Sequence, residues 1–455
     1  MKDITIAYIG GGSRLWARGL MSDLALEADL SGTVKLYDID HQAAENNAKI
    51  GQMMMQLPEA KGHFKFEVSK TLETCLENAD FVLISILPAT FEEMKVYVHD
   101  TEQWGVYQPV GDTAGPAGIF RSLIMMPMYE TFAKVIEKVC PHAWVINFTN
   151  PMTMCVQMLY HVFPKIKAYG NCHEVFHVQD ILRKALKEFN GIDAKREEIE
   201  INPLGINHFT WINQANYKQL DLIPIYDEFA KKYQKQGIYG NTWIKRGPFG
   251  SAEKVKLDLY LKYHVIAAAG DRHLVEFLPQ QWYVKDPAMV EAWQFFLTPV
   301  DRRIEIKKEG NQQAKDMIKG LIPVKLTPSG EEGVLQMKAL LGMTELITNV
   351  NIINQGQIPN LPINHVVETN ALFRRDALRP IFAGPMPEAC HDLTLPHIYM
   401  HELLLQAFDH RDLNYAKEAL LRDPYTSHLT PHQKVEMFNH IASKLSPYLS
   451  YYIHH

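Results

Sequence analysis

The chain has 455 residues, 47% hydrophobic and 22% charged, with a formal net charge of -6. That balance belongs to a folded protein with a large core, excludes disordered and fibrous classes, and at this length favours two domains. The mild acidity, with no basic run interleaved with aromatics, argues against a nucleic-acid partner, and no apolar stretch is long enough to call for a membrane.

The opening MKDITIAYIGGG reads as a first strand rather than a signal peptide. Five cysteines (75, 140, 155, 172, 390) without paired spacing fit thiols of a reducing cytoplasm better than a disulfide framework. Across the first 200 residues ITIAYI, TVKLYDI, FKFEVS, DFVLISIL, WVINFT and KAYG alternate with helical stretches such as LWARGLMSDLALEA and MYETFAKVIEKV. This rhythm predicts an α/β fold, a Rossmann-like, doubly wound and mostly parallel sheet. From GINHFTW onward it gives way to mixed strands and helices, with loops near QKQGIYGNTWIKRGPFGS and KLTPSGEEG. The expected division is therefore 1–200 as a nucleotide-binding domain and 201–455 as an α+β domain.

At the end of the first strand stand Gly10, Gly11 and Gly12, with Ser13 placed to cap the next helix. A tight turn of bare backbone lets a pyrophosphate approach helix N–H groups. Asp38, ending the second strand, can accept from an adenosine ribose and would repel a 2′-phosphate, which favours NAD over NADP. The GxGxxG fingerprint is incomplete, because Leu15 stands where its third glycine would be. A plain turn in a flavodoxin-like sheet is the alternative.

Doubly wound sheets bind ligands outside the carboxyl ends of their strands, and three polar clusters fall there. YQPVGDTAGPAGIFR is a glycine-rich loop with Asp112 and Thr113; WVINFTNPM supplies Asn147 and Asn150, with Pro151 suited to begin a helix; KAYGNCHEV gives Cys172 and His173. Singly, each has an ordinary structural reading, but three at one edge point to a site. His208 in PLGINHFTW is a second metal candidate beside Cys172, since a thiolate and an imidazole leave coordination positions open for a substrate's vicinal oxygens. A satisfied core histidine is the alternative. Asp271, Arg272, His273 and Glu276 crowd into AAAGDRHLVEFLP, a concentration suited to acid–base work or anion recognition.

Taken together, GGGS, VGDTAGPAGI, INFTNPM, CHEV and GINHFTW resemble glycoside hydrolase family 4, the glycosidases that depend on NAD and a divalent metal, from the first strand to about NQGQIPNLP. CHEV is the form of the tetrad associated with the family's α-galacturonidases. The resemblance implies cleavage of α-galacturonides or oligouronides by transient oxidation of the sugar at carbon 3. Loss of the carbon 2 proton, elimination of the aglycone, addition of water and return of the hydride complete the cycle. Such enzymes stand outside the two-carboxylate scheme of most glycosidases. It further implies Cys172 and His208 as metal ligands, manganese (Mn2+) as the ion, Asp271 as the proton-abstracting base with Tyr263 as its rival, and a homodimer or homotetramer. Asp112 and Asn150 are expected at sugar hydroxyls, and at least one of His173 and Glu174 at the substrate. Arg272 and His273, or Arg14 and Arg121, are candidates for the uronate carboxylate.

Ala117 replaces an expected glycine in VGDTAGPAGI, a change that costs backbone freedom only. Competing readings are a neutral α-glucosidase or α-galactosidase of the same family, a lactate- or malate-type dehydrogenase, and a non-catalytic NAD sensor.

Overall fold

All six runs read as strands in the first half are strands in the computed structural model, which describes residues 1–452; the histidine pair that closes the sequence lies outside the described residues. β1 (Lys2–Ile9), β2 (Leu30–Tyr37), β3 (His63–Val68), β4 (Phe81–Ile84), β5 (Trp144–Asn147) and β6 (Lys167–Gly170) pair in parallel in the order β3-β2-β1-β4-β5-β6. This is the doubly wound order, whose direction reverses between β1 and β4 and opens a crevice at the carboxyl edge.

Alternation along β1 sends Ile4, Ile6 and Tyr8 into one core and Ala7 and Ile9 into another. Helices Trp16–Leu26, His41–Met54 and Gly333–Leu340 close the first core. The second is closed by Gly115–Val139 and, from far along the chain, by Glu388–His410, Leu413–Arg422 and Pro431–Lys444. Phe120 and Phe438 meet there with ring centroids 5.0 Å apart. Each fully buried ring contributes about 1.5–3 kcal/mol, so the last helices are fastened beneath the nucleotide-binding half.

The later strands are β7 (Ile199–Ile206), β8 (Phe209–Tyr217), β9 (Leu220–Asp221), β10 (Ile266–Ala267), β11 (Leu346–Ile353), β12 (Val366–Arg374) and β13 (Ala377–Pro380). They extend the same sheet in antiparallel fashion from β6 through β11, β12, β7 and β8 to β10, with Asn351 opposite Gly170 at the junction. β9 lies on β8 and β13 on β12. The expected boundary near 200 falls at the head of β7.

Two local expectations change. GPAGIFR, read as loop, forms the first turns of helix Gly115–Val139. Pro116 suits a first turn, and a Cβ on Gly118 would lie 2.4 Å from the Thr113 carbonyl oxygen, so glycine there lets the helix close against the loop bearing Asp112. Helix Trp16–Leu26 has Leu15, not Ser13, as its cap residue; Ser13 Oγ still accepts the Trp16 N–H at 3.2 Å. Among the described residues, no helix is long and apolar enough to cross a membrane.

Candidate active site and metal centre

The glycine turn is as tight as its sequence implies. Gly10 has φ +90°, and a Cβ there would strike Ser85 O at 2.0 Å. Gly12 donates its N–H to Asp38 Oδ2 at 2.8 Å, and a Cβ on Gly12 would meet that oxygen at the same distance. Asp38 Oδ1 accepts the Asp40 N–H at 2.8 Å, so the acid holds the end of β2 against the turn. A bare turn, a helix start just beyond it and an acid at the second strand end together fit a dinucleotide.

Across the crevice, Asp112, His208 and His273 each bring a ligand atom within 4.8 Å of the others'. His208 sits at the β7–β8 turn with φ +63°, a left-handed conformation that non-glycine residues hold at a cost. Thr113 Oγ1 lies 2.6 Å from Asp112 Oδ1 and 3.0 Å from His208 Nδ1. The ionised carboxylate can only accept, so Thr113 donates to it and accepts from His208 Nδ1–H. That chain leaves the lone pair of His208 on Nε2, the tautomer a metal ligand needs.

The electrostatics sort the cluster. Burial lowers the His208 pKa to about 3, with the charge of His273 adding to it, so this ring is neutral. Burial also opposes a charge on His273, but Glu174 and Asp112 outweigh it and raise that ring's pKa. Asp112 is held well below the usual carboxylate range: burial opposes its ionisation, and His273, Arg121 and His208 overcome that. Glu174 is likewise ionised, its burial outweighed first by His273. It spans the site, with Oε1 3.3 Å from His273 Nδ1 and Oε2 accepting the Gly270 N–H at 2.8 Å.

Cys172 is buried at the β6 end, its thiol pushed well up by burial, then by Glu368 and Glu174. Asn207 lies beside that thiol, and both of its amide atoms are buried with no hydrogen-bond partner among the described residues. Orphaned amide atoms between a thiol and the His208 turn, together with carboxylate and imidazole donors, fit a divalent transition metal. Cys172 does not join the compact trio; Asp112 and His273 are the donors grouped with His208.

The remaining candidates disperse. Asp271 is fully buried, with Oδ1 and Oδ2 accepting the Lys256 and Val255 N–H groups at 2.9 and 3.2 Å. It thus caps helix Lys254–Tyr263, and burial with the nearby Glu253 charge raises its pKa. Tyr263, half-buried, packs edge-on to Trp211 against the core beneath β8. Arg272 donates Nε to Phe296 O at 2.9 Å and Nη2 to Pro109 O and Thr298 Oγ1. The Asn150 carbonyl accepts from Arg121 Nε at 2.9 Å, while its side-chain Oδ1 is buried without a partner among the described residues. His173 is 3.0 Å from Glu331 Oε1 and lies with Trp16 at a cavity of about 760 Å³.

Three neighbours went unremarked in the sequence. Asn207 adjoins His208 in GINHF, which was signal enough. Glu368 is an acid inside an apolar strand, with its carboxylate held by Thr210 Oγ1 at 2.5 Å, Asn349 Nδ2 at 3.1 Å and Asn351 Nδ2 at 3.2 Å. Arg303, on helix Val300–Ile318, carries no sequence signal at all.

A nucleotide crevice at the switch point, with a carboxylate–imidazole cluster at the same edge of the sheet, defines an enzyme that joins a dinucleotide to a metal. The chain belongs to family 4 of the glycosyl hydrolases: Family 4 glycosyl hydrolase matches residues 5–188, and Family 4 glycosyl hydrolase C-terminal domain matches residues 204–426. It is 49% identical over 449 residues to an alpha-galacturonidase of Thermoanaerobacter italicus, covering 99% of this chain and 98% of that one. A solved Bacillus subtilis structure described as a glucosidase superposes with a TM-score of 0.92 at 44% identity, covering 97% of this chain and 100% of that one. A 6-phospho-alpha-glucosidase from gut microorganisms, solved in complex with NAD and Mn2+, shares the fold at a TM-score of 0.81 and 16% identity, over 98% and 99% of the two chains.

Proposed function

We propose that this chain is a cytoplasmic, NAD- and manganese-dependent α-galacturonidase, working as a homodimer or homotetramer, with residues 1–200 holding the nucleotide and 201–455 completing the substrate and metal site. The observation that carries the reading is near full-length likeness, at 49% identity, to a protein named for that activity. The CHEV stretch supports it, since Glu174 ties the first half of the chain to His273 and Gly270 of the second.

The glycine turn and Asp38 would hold NAD, and His208 with Asp112 and Cys172 would hold the ion. When bound, the two supply a hydride acceptor that later gives the hydride back and a Lewis acid for adjacent sugar oxygens. The protein's own groups prepare the rest. Neutral His208 keeps Nε2 free as a donor atom because Thr113 and Asp112 take its other proton. His273, carrying charge against Glu174, is the proton donor of the site. Asp112 and Glu174 are ionised acceptors at its edge. Asn150 Oδ1, buried and unpartnered, is the acceptor for a sugar hydroxyl. Asp271 would have to release two backbone N–H groups before acting as base.

The test is release of p-nitrophenol from the α-D-galacturonide and the α-D-galactoside, each with and without NAD and Mn2+. The reading expects the galacturonide to be cleaved, and only with both additions. Cleavage in the absence of NAD would overturn it.

A further inference from the structure

Any enzyme that selects a uronate over the matching neutral sugar must meet one extra negative charge at carbon 6. Arg272 is spent on Phe296 O, Pro109 O and Thr298 Oγ1. Two other guanidinium groups are not. Arg121, 6% exposed, is anchored at the end of β5 by Nε donating to Asn150 O at 2.9 Å. Arg303 donates Nη2 to Val110 O at 3.0 Å, while its Nε is buried with no partner among the described residues. Beside them Tyr97, fully buried, has its hydroxyl next to the Arg121 guanidinium.

These groups share one electrostatic neighbourhood with the cluster. Both arginines act on Asp112 and on Tyr97, and Arg121 acts on Arg303 as a like charge. The nearby acids offset them only in part, although ionised Asp112 acts on both. Asp112 belongs to the ligand cluster. Glu276 spends Oε1 on the Val110 and Gly111 N–H groups at 2.6 and 2.8 Å, and its burial favours the neutral form. Buried like charges with an unmet N–H are unfavourable until an anion completes them. A planar carboxylate suits the guanidinium fork.

We propose that Arg121 and Arg303, with the Tyr97 hydroxyl, grip the substrate's carboxylate and so set the preference for galacturonides over galactosides. This rests on the galacturonidase reading and says which residues make it selective. Arg121 is held by the same loop that carries Asn150, so carboxylate and ring hydroxyls are located together.

The experiment compares kcat/KM for p-nitrophenyl α-D-galacturonide and α-D-galactoside in the wild type, Arg303→Gln, Arg303→Lys and Tyr97→Phe, with NAD and Mn2+ present and thermal melting as a folding control. The expected result is a fall of about 100-fold on the galacturonide in Arg303→Gln, a collapse of the galacturonide-to-galactoside ratio, and partial rescue by lysine. An equal fall on both substrates, or none on the galacturonide, would overturn the assignment. If Arg303→Gln does not fold, Tyr97→Phe decides by the same ratio. A wild type inert on the galacturonide fails the functional reading instead. Calorimetric binding of D-galacturonate against D-galactose then decides: a preference for the acid that Tyr97→Phe and Arg303→Lys both weaken upholds the carboxylate grip, and equal binding of the two sugars refutes it.

Discussion

His208 and His273 lie ring against ring, centroids 3.9 Å apart and planes 24° apart, one from the β7–β8 turn and the other from the short helix after β10. Two imidazoles at that distance carry at most one positive charge between them, and their surroundings decide which ring holds it. Glu174 and Asp112 favour a charged His273, while burial keeps His208 neutral.

Metal affinity should follow this division. His208→Ala removes a donor and is expected to weaken Mn2+ binding more than 100-fold. Thr113→Val, which only frees the ring's tautomer, should cost about 10-fold. Calorimetric titration of Mn2+ measures both, and unchanged affinity in His208→Ala would remove the ring from the centre.

Asp271 is expected to behave as a helix cap. Asp271→Asn places an amide NH2 against one of two backbone donors, costing about 0.5–2 kcal/mol of stability. Denaturant melts should show that loss, with kcat changing little among folded molecules. A large fall in kcat at unchanged stability would return Asp271 to the chemistry.

Gly12→Ala should abolish NAD binding while leaving the sheet intact. The added Cβ would lie 2.8 Å from Asp38 Oδ2 and from Ala43 Cβ, so the turn must open where the pyrophosphate docks. Fluorescence titration with NADH is the readout, and near-normal affinity would contradict the crevice described here.

Acid stability should depend on three histidines behind the Asp112 loop. Burial lowers the pKa of His365 and His397 to about 4 and holds that of His401 well below its usual value. Folded pKa values below the unfolded value of about 6.5 mean the stabilising contribution is complete above pH 6.5. It drains away as pH falls towards 4. Urea midpoints between pH 7 and pH 4 should drop, and His365→Gln should make the drop shallower. A midpoint independent of pH over that range would contradict the sign.

The parts of this site that the sequence displays are those that a parallel sheet places by rule. Glycines after β1, an acid after β2 and polar loops after later strands all reach one edge because every parallel strand points the same way. The union of Asp112 with His208 and His273 is different. It depends on the antiparallel half folding back across the crevice, and no spacing encodes that. Asp271 and His273 stand two positions apart in one stretch, yet Asp271 turns to helix Lys254–Tyr263 and His273 to His208, because the short helix between them points successive side chains apart. Arg303 is one cation among several on an amphipathic helix, and only its depth distinguishes it.

The resemblance to family 4 implies that the glycosidic bond breaks by way of a proton lost from and regained at carbon 2. Hydrolysis of p-nitrophenyl α-D-galacturonide in D2O, with NAD and Mn2+, tests it most directly, with the product read by NMR. Deuterium at carbon 2 of the released galacturonate, with no net formation of NADH, is the expected result; a product carrying only protium at that carbon rules the proton-loss route out.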